Sequence, residues 1–235
     1  MPSSDTSLES PASEFAPGKR QLLQAALRLC CDSRSLSSLG LRELAREAGL
    51  NPNTFYRHFS DIDDLGLTLI RDIGTQLRGP LRALRQQAAA RAKGDNKLSV
   101  PRLFGINLIR SRRVVHETVQ LFFDFVDQQP EAFIVGIRER YGASPALRQA
   151  LSEVMNGFAA DMREDIRDLK LMPTGISDSQ LAVISEQITH HLFQMALDYL
   201  STPARQHELR QQAEEHILML ASGAAVLQRL GQLRL

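Results

Sequence analysis

LGLRELAREAGLNPNTFYRHF, residues 39–59, reads as two short helices joined by a glycine turn. Ser37 and Ser38 stand before the first apolar position, where a hydroxyl satisfies the free N–H groups of a helix start. Leu41, Leu44, Ala45 and Ala48 then recur at three- and four-residue spacing and give one apolar face. Gly49 follows, a residue that takes the left-handed conformation needed to stop a helix and turn the chain. Asn51–Pro52 restarts it, because asparagine caps well and proline has no N–H to lose at the first helical position. Ala45 has to be small where the two helices cross, and Phe55 has to anchor the second in the core. With Phe55 inside, Asn53, Thr54, Tyr56 and Arg57 face outward, each able to donate a hydrogen bond. That is the form in which a protein inserts a helix into the major groove of DNA.

The rest of the chain sets bounds on this reading. Its 235 residues are 43% hydrophobic and 23% charged, the composition of a soluble protein with a sizeable core. The net charge is +1. Residues 1–17 hold three acids and no base, residues 18–71 eight Lys/Arg against six Asp/Glu, and the remainder twenty against eighteen. A module this mildly basic has to gain DNA affinity from a few well-placed groups rather than from a broad field. Cys30 and Cys31 are adjacent in LLQAALRLCC; such a pair closes no useful loop and lacks zinc-ligand spacing, so reduced core thiols are expected, as in the cytoplasm. MPSSDTSLESPASEFAP, residues 1–17, is acidic and Ser/Pro-rich, carries no targeting signal and is expected to be a disordered tail. The longest apolar runs, at 217–227 and 121–126, fall short of the ~20 residues that span a bilayer, so no membrane partner is expected.

Helical periodicity runs through nearly every segment, and no strand alternation stands out. Helices are expected at about 18–32, 39–47, 51–57, 60–92, 100–128, 131–140, 145–171, 177–200 and 204–230. Ser60 with Asp63 matches a capping box at the start of the fourth, and Gly79–Pro80 should kink or break it. The fifth is apolar on more than one side and therefore central. The expected fold is all-α: a disordered tail over 1–17, a three-helix DNA-binding domain of helix-turn-helix form over 18–62, and a helical bundle for ligand binding and dimerisation over 63–235.

SLGLRELAREAGLNPNTFYRHFSDIDDLG, residues 38–66, resembles the DNA-binding domain of TetR-type bacterial repressors, and Phe55–Phe59 is similar to the aromatic-aromatic-x-His-Phe signature that closes their recognition helix. Phe59-Ser60-Asp61 through Gly66, together with Arg138-Glu139-Arg140-Tyr141-Gly142-Ala143-Ser144, resembles the proteobacterial subgroup controlling unsaturated fatty acid synthesis and acyl desaturation. The first resemblance implies a homodimer on a palindromic double-stranded operator and a cavity for a small apolar effector in each bundle. The second implies a long-chain acyl-CoA or acyl-ACP as that effector. No cofactor is implied. One departure is Asp61, Asp63 and Asp64, where many members of the family place a lysine that touches phosphate; acids suit a helix N-terminus but repel phosphate.

Asn53 and Thr54 are the candidates for base-edge contacts, since asparagine pairs with adenine and a threonine methyl meets thymine. Tyr56, Arg57, His58 and Arg42 are candidates for setting register on phosphates, with Asn51 at the helix start and Lys19 and Arg20 toward the flanking backbone. For His58 the alternative is a core-facing ring, and for Arg42 a pairing with Glu43 or Glu47. Candidate cavity walls are Phe104, Leu108, Phe122 and Phe125, with flexible surface from Met155, Phe158, Met162, Phe193 and Met195; plain core is the alternative. Arg138 and Arg140 beside Tyr141 suit a phosphate-bearing head group, unless they pair with Glu139. His190 and His191 point apart on one helix, which argues against a metal site. Ala221–Ala225 suits close helix approach in a dimer built from the last two helices, or else a contact within the chain. No nucleophile elbow, P-loop, dinucleotide fingerprint or metal cluster supports an enzyme. The expected function is a ligand-responsive DNA-binding transcriptional repressor sensing an acyl thioester; the alternatives are a regulator of another small apolar ligand, or a helical adaptor without DNA binding.

Overall fold

A computed structural model describes residues 15–31, 34–94, 108–173 and 175–235; these form nine helices and no strand. The expected tail lies outside them apart from residues 15–17. The helices are α1 (Pro17–Cys31), α2 (Leu41–Glu47), α3 (Pro52–Phe55), α4 (Ile62–Gly94), α5 (Leu108–Gln128), α6 (Pro130–Glu139), α7 (Pro145–Asp168), α8 (Asp178–Ser201) and α9 (Gln206–Arg229).

Three local expectations shift. The serines proposed to cap α2 instead lie in a 3-10 turn, Leu36–Ser38, which buries Leu36, and Gly40 takes the N-cap position without a side-chain bond. α3 stops at Phe55, two residues early, because His58 N–H and Phe59 N–H both return to the Phe55 carbonyl (2.9 and 3.0 Å) as the chain tightens to bury Phe59 beside Phe55. The capping box of α4 is displaced by one residue: Asp61 Oδ1 accepts from Asp64 N–H at 2.8 Å, and Asp64 Oδ2 accepts from Ser60 N–H at 2.9 Å. Asp63 is thereby released to accept from Ser144 Oγ at 2.8 Å, and Ser144 is the N-cap of α7.

α4 also runs unbroken through Gly79–Pro80, contrary to the expected interruption. Pro80 removes one helical hydrogen bond, but ion pairs straddle it. Arg78 binds Asp161 at 2.7 Å, Arg82 binds Glu164 at 2.8 Å, and Arg85 binds Asp165 at 2.7 Å. Each arginine meets an acid about eighty residues further on, so α4 and α7 run parallel, and α7 splints the proline-bearing half.

Two apolar clusters fill the interior. One gathers Leu22, Ala26, Cys30, Leu44, Phe55 and Phe59 with the first turns of α4 (Leu65, Leu69) and of α7 (Leu147, Leu151). The other surrounds Phe122, Phe123, Phe133, Ile184, Leu192 and Tyr199 in the bundle. Burying a Phe55-sized side chain stabilises by about 1.5–3 kcal/mol. Cys30 is fully buried in the first of these clusters.

Candidate nucleic-acid interface and effector cavity

Gly49 has φ +68°, the left-handed value its turn requires. Ala45 and Phe55 are fully buried, and Asn51 caps α3 by accepting from Asn53 N–H at 2.9 Å. This leaves an exposed face made of Asn53, Tyr56 and Arg57, with Thr54 and His58 half-buried at its edge. The Tyr56 ring stands edge-on to Phe55 (5.6 Å between centroids) and is 63% exposed, so the core fixes the ring and aims the hydroxyl at solvent. His58 closes against α1: a Cβ on Gly18 would lie 2.8 Å from His58 Nε2, so the glycine is what permits the approach. The ring is thus held on one side and open on the other.

The flanking bases divide. Glu43 is held by Arg34 (2.6 Å) and Glu47 by Arg28 (2.9 Å), so neither is the partner of Arg42, which is exposed. The bond from Arg34 also draws the Glu43 carboxyl below its usual value. Lys19 places its ammonium over the rings of Phe15 (4.8 Å) and Phe59 (5.2 Å), and Arg20 donates to the Phe15 carbonyl at 3.3 Å. Both are half-buried and order the start of α1.

Behind this face a polar joint connects α1 and the 3-10 turn to the bundle. Glu139, at the end of α6, is 1% exposed and its Oε1 accepts from Leu36 N–H at 2.7 Å. Burial, assisted by the nearby Asp63 carboxylate, raises its carboxyl above the ordinary value. Arg138 donates to the Cys30 carbonyl at 2.7 Å and so closes the end of α1. That corrects its assignment to a head group: it is turned away from the cavity, while Arg140, two residues on, lines it. Sequence spacing did not separate the two, because the helix ends between them and Arg140 falls in the turn.

The bundle contains neighbouring pockets. A cavity of about 620 Å³, part of it open to solvent, lies between α4, α6, α7 and α8, with Leu77, Phe133, Met155, Phe158 and Phe193 in its walls and Arg140 and Tyr141 at its rim. Tyr141 is largely exposed, and the Arg140 guanidinium sits 5.7 Å from its ring. A second cavity of about 650 Å³ lies between α5, α7, α8 and α9, lined by Val115, Met162, Ile184, Ile188 and Ile217 among others. A smaller pocket, the waist, lies between them: it shares Phe158 and Phe193 with the first and Arg85, Thr118, Met162 and Leu192 with the second.

Of the predicted wall residues, Phe122, Met155, Phe158, Met162 and Phe193 line this space, while Met195 is packed in the core. Phe125 does not line it either; it packs on Phe133 at 5.9 Å, one turn to the side of Phe122. Phe104 and the side chain of Leu108 lie outside the described residues. The α4 residues Ile70, Ile73, Gly74 and Leu77 were missed, because their stripe reads equally as ordinary core. His191 faces His216 of α9 rather than its neighbour His190, with Nε2 and Nδ1 2.7 Å apart; burial and the facing ring hold its pKa below the usual histidine value. Among the described residues no group of three metal-ligating side chains converges. No described helix is long and apolar enough to cross a membrane.

Residues 22–67 match the family of bacterial regulatory proteins, tetR family. Solved structures share the fold over most of both chains. The fatty acid degradation regulator FadR of Bacillus halodurans is 14% identical, with TM-score 0.66 over 89% of this chain and 97% of that one. A putative transcriptional regulator of Pseudomonas aeruginosa PAO1 is 16% identical, with TM-score 0.61 over 94% and 98%. The regulator FadR of Bacillus subtilis, solved in complex with stearoyl-CoA, is 14% identical, with TM-score 0.57 over 86% and 97%.

Proposed function

We propose that this chain is a ligand-responsive transcriptional regulator of TetR type, a homodimeric repressor that senses a long-chain acyl thioester. The observation that carries the ligand is the pair of apolar cavities with a smaller pocket, the waist, between them, and with Arg140 and Tyr141 at one rim. An acyl chain suits the apolar walls, and a guanidinium beside an aromatic ring suits a phosphate-bearing carrier. The stearoyl-CoA bound by the Bacillus subtilis FadR and the resemblance of residues 138–144 to acyl-responsive repressors support the same ligand.

Asn53 and Thr54 read base edges, and Tyr56, Arg57, His58 and Arg42 hold phosphates. Asn51 serves chiefly as the cap that aims them, and Lys19 and Arg20 brace the start of α1. Two copies join through α8 and α9. The exposed Met219, Leu220, Leu227 and Leu230 form an apolar stripe on α9, and Gly223 lies open between them. The small-residue run predicted for this contact divides, since Ala224 and Ala225 are buried in the chain's own core.

α6 is the relay. Ala132, Phe133, Gly136 and Ile137 line the first cavity, while Arg138 and Glu139 hold α1 and the 3-10 turn. A ligand that displaces α6 therefore displaces the DNA-facing helices, and couplings of this kind amount to ~1–3 kcal/mol. The test is a gel-shift titration on the promoter region of the protein's own gene, with and without saturated and unsaturated acyl-CoA. A shift of the binding midpoint by about 5–150-fold is expected. Midpoints indifferent to every acyl thioester would remove the acyl reading and leave the DNA-binding one; absence of specific binding would favour a helical adaptor.

A further inference from the structure

Apolar side chains surround most of the waist, but three polar ones, Arg85, Thr118 and Thr189, stand in it. Arg85 is 5% exposed, and its Nε donates to Asp165 at 2.7 Å. Thr189 is 3% exposed, and its hydroxyl has no hydrogen-bond partner among the described residues. A helical threonine ordinarily turns its hydroxyl to the carbonyl one turn back, as Thr118 in the same waist does to Val114 at 2.6 Å. Thr189 does not. A buried hydroxyl without a partner costs free energy that valine, of the same shape, would not.

The waist lies between the two cavities and shares walls with each, so an acyl chain reaching from one to the other passes Thr189 near its middle, whichever end it enters by. We infer that the waist is a polar subsite for an oxygen function, a hydroxyl or keto group, near the middle of a long acyl chain, with Thr189 as the residue that hydrogen-bonds it. This rests on the acyl reading above and specifies its ligand. A threonine hydroxyl both donates and accepts, which matches either group. Arg85 is already neutralised by Asp165, so the subsite favours a neutral oxygen over a second carboxylate. An unsubstituted chain would exclude water from Thr189 and offer nothing in return, and sites of this kind discriminate strongly against the ligand that lacks the polar group.

Calorimetric titration of the full chain with octadecanoyl-CoA and 10-hydroxyoctadecanoyl-CoA tests this. The wild type should bind the hydroxylated thioester about tenfold more tightly, equivalent to about 1.4 kcal/mol. Thr189→Val should lose that preference while binding octadecanoyl-CoA at least as well as the wild type, and Thr189→Ser should retain it. Equal affinities in the wild type, or a preference that survives in Thr189→Val, overturn the subsite alone. Failure of both thioesters to bind the folded wild type overturns the acyl reading and the subsite together.

Discussion

In the first three helices Phe55, Leu44 and Ala45 are sealed from solvent, and the polar side chains left over share one outer face. The bundle uses the same kind of helix, yet Phe122, Phe133, Phe158 and Phe193 meet at 5.6–5.9 Å and still leave space on both sides of them. Natural interiors seldom keep such voids. The first region is packed to hold side chains still and the second to admit something, and both follow from where large and small residues fall. The contrast separates recognition by fixed placement from recognition by enclosed room.

The largest test of fixed placement is Tyr56→Ala. It should abolish operator binding in a gel-shift titration, with helicity by circular dichroism and acyl-CoA binding both preserved. A variant that keeps wild-type DNA affinity would remove Tyr56 from the interface. Next comes the ion pair that frames the open region. Asp165 is 2% exposed and holds Arg85, so Asp165→Ala strands a buried charge and should cost about 3–5 kcal/mol in urea denaturation. A cost below about 1 kcal/mol would mean that solvent reaches the waist freely.

The joint between the regions predicts a pH dependence. The carboxyl of Glu139 is raised above 4.5, so its contribution to stability is complete below about pH 4.5 and is lost as pH rises through the folded-state value. Glu139→Gln keeps an acceptor for Leu36 N–H and removes the charge. Its melting temperature should lose that pH-dependent component and equal or exceed the wild type at pH 7; a lower value there would show the charge to be stabilising. The smallest effect belongs to Gly136, where an added Cβ would meet only Leu151, at 4.0 Å. Gly136→Ala should stabilise α6 by about 0.5–1 kcal/mol and weaken acyl-CoA binding, because the methyl takes up cavity space.

The same contrast governs what a reader of the sequence can see. Gly49, Asn51–Pro52 and Phe55 signal their roles within a few residues of one another, so the DNA-facing helices are legible as written. Their caps are less so: Gly40 and Asp61 displaced the serines because burial of Leu36 and the pull of Asp63 toward Ser144 act across the fold. The cavity is harder still. Its walls come from six helices, α4 to α9, and Ile73, Met155 and Ile188 carry the same periodic signal whether they face a neighbour or a void. Arg78, Arg82 and Arg85 show their one-turn spacing, but only the fold brings Asp161, Glu164 and Asp165 opposite them.

One wall is shared between these two economies of packing. α6 presents Phe133 and Ile137 to the cavity and Glu139 and Arg138 to the helices that face DNA. A shared wall transmits in both directions, because the free energy that couples two binding events has no preferred sender. On the proposed function, operator DNA alters the affinity for the effector by the same factor that the effector alters the affinity for the operator. In the cell, each occupied operator would then hold a sensor calibrated differently from the free protein around it.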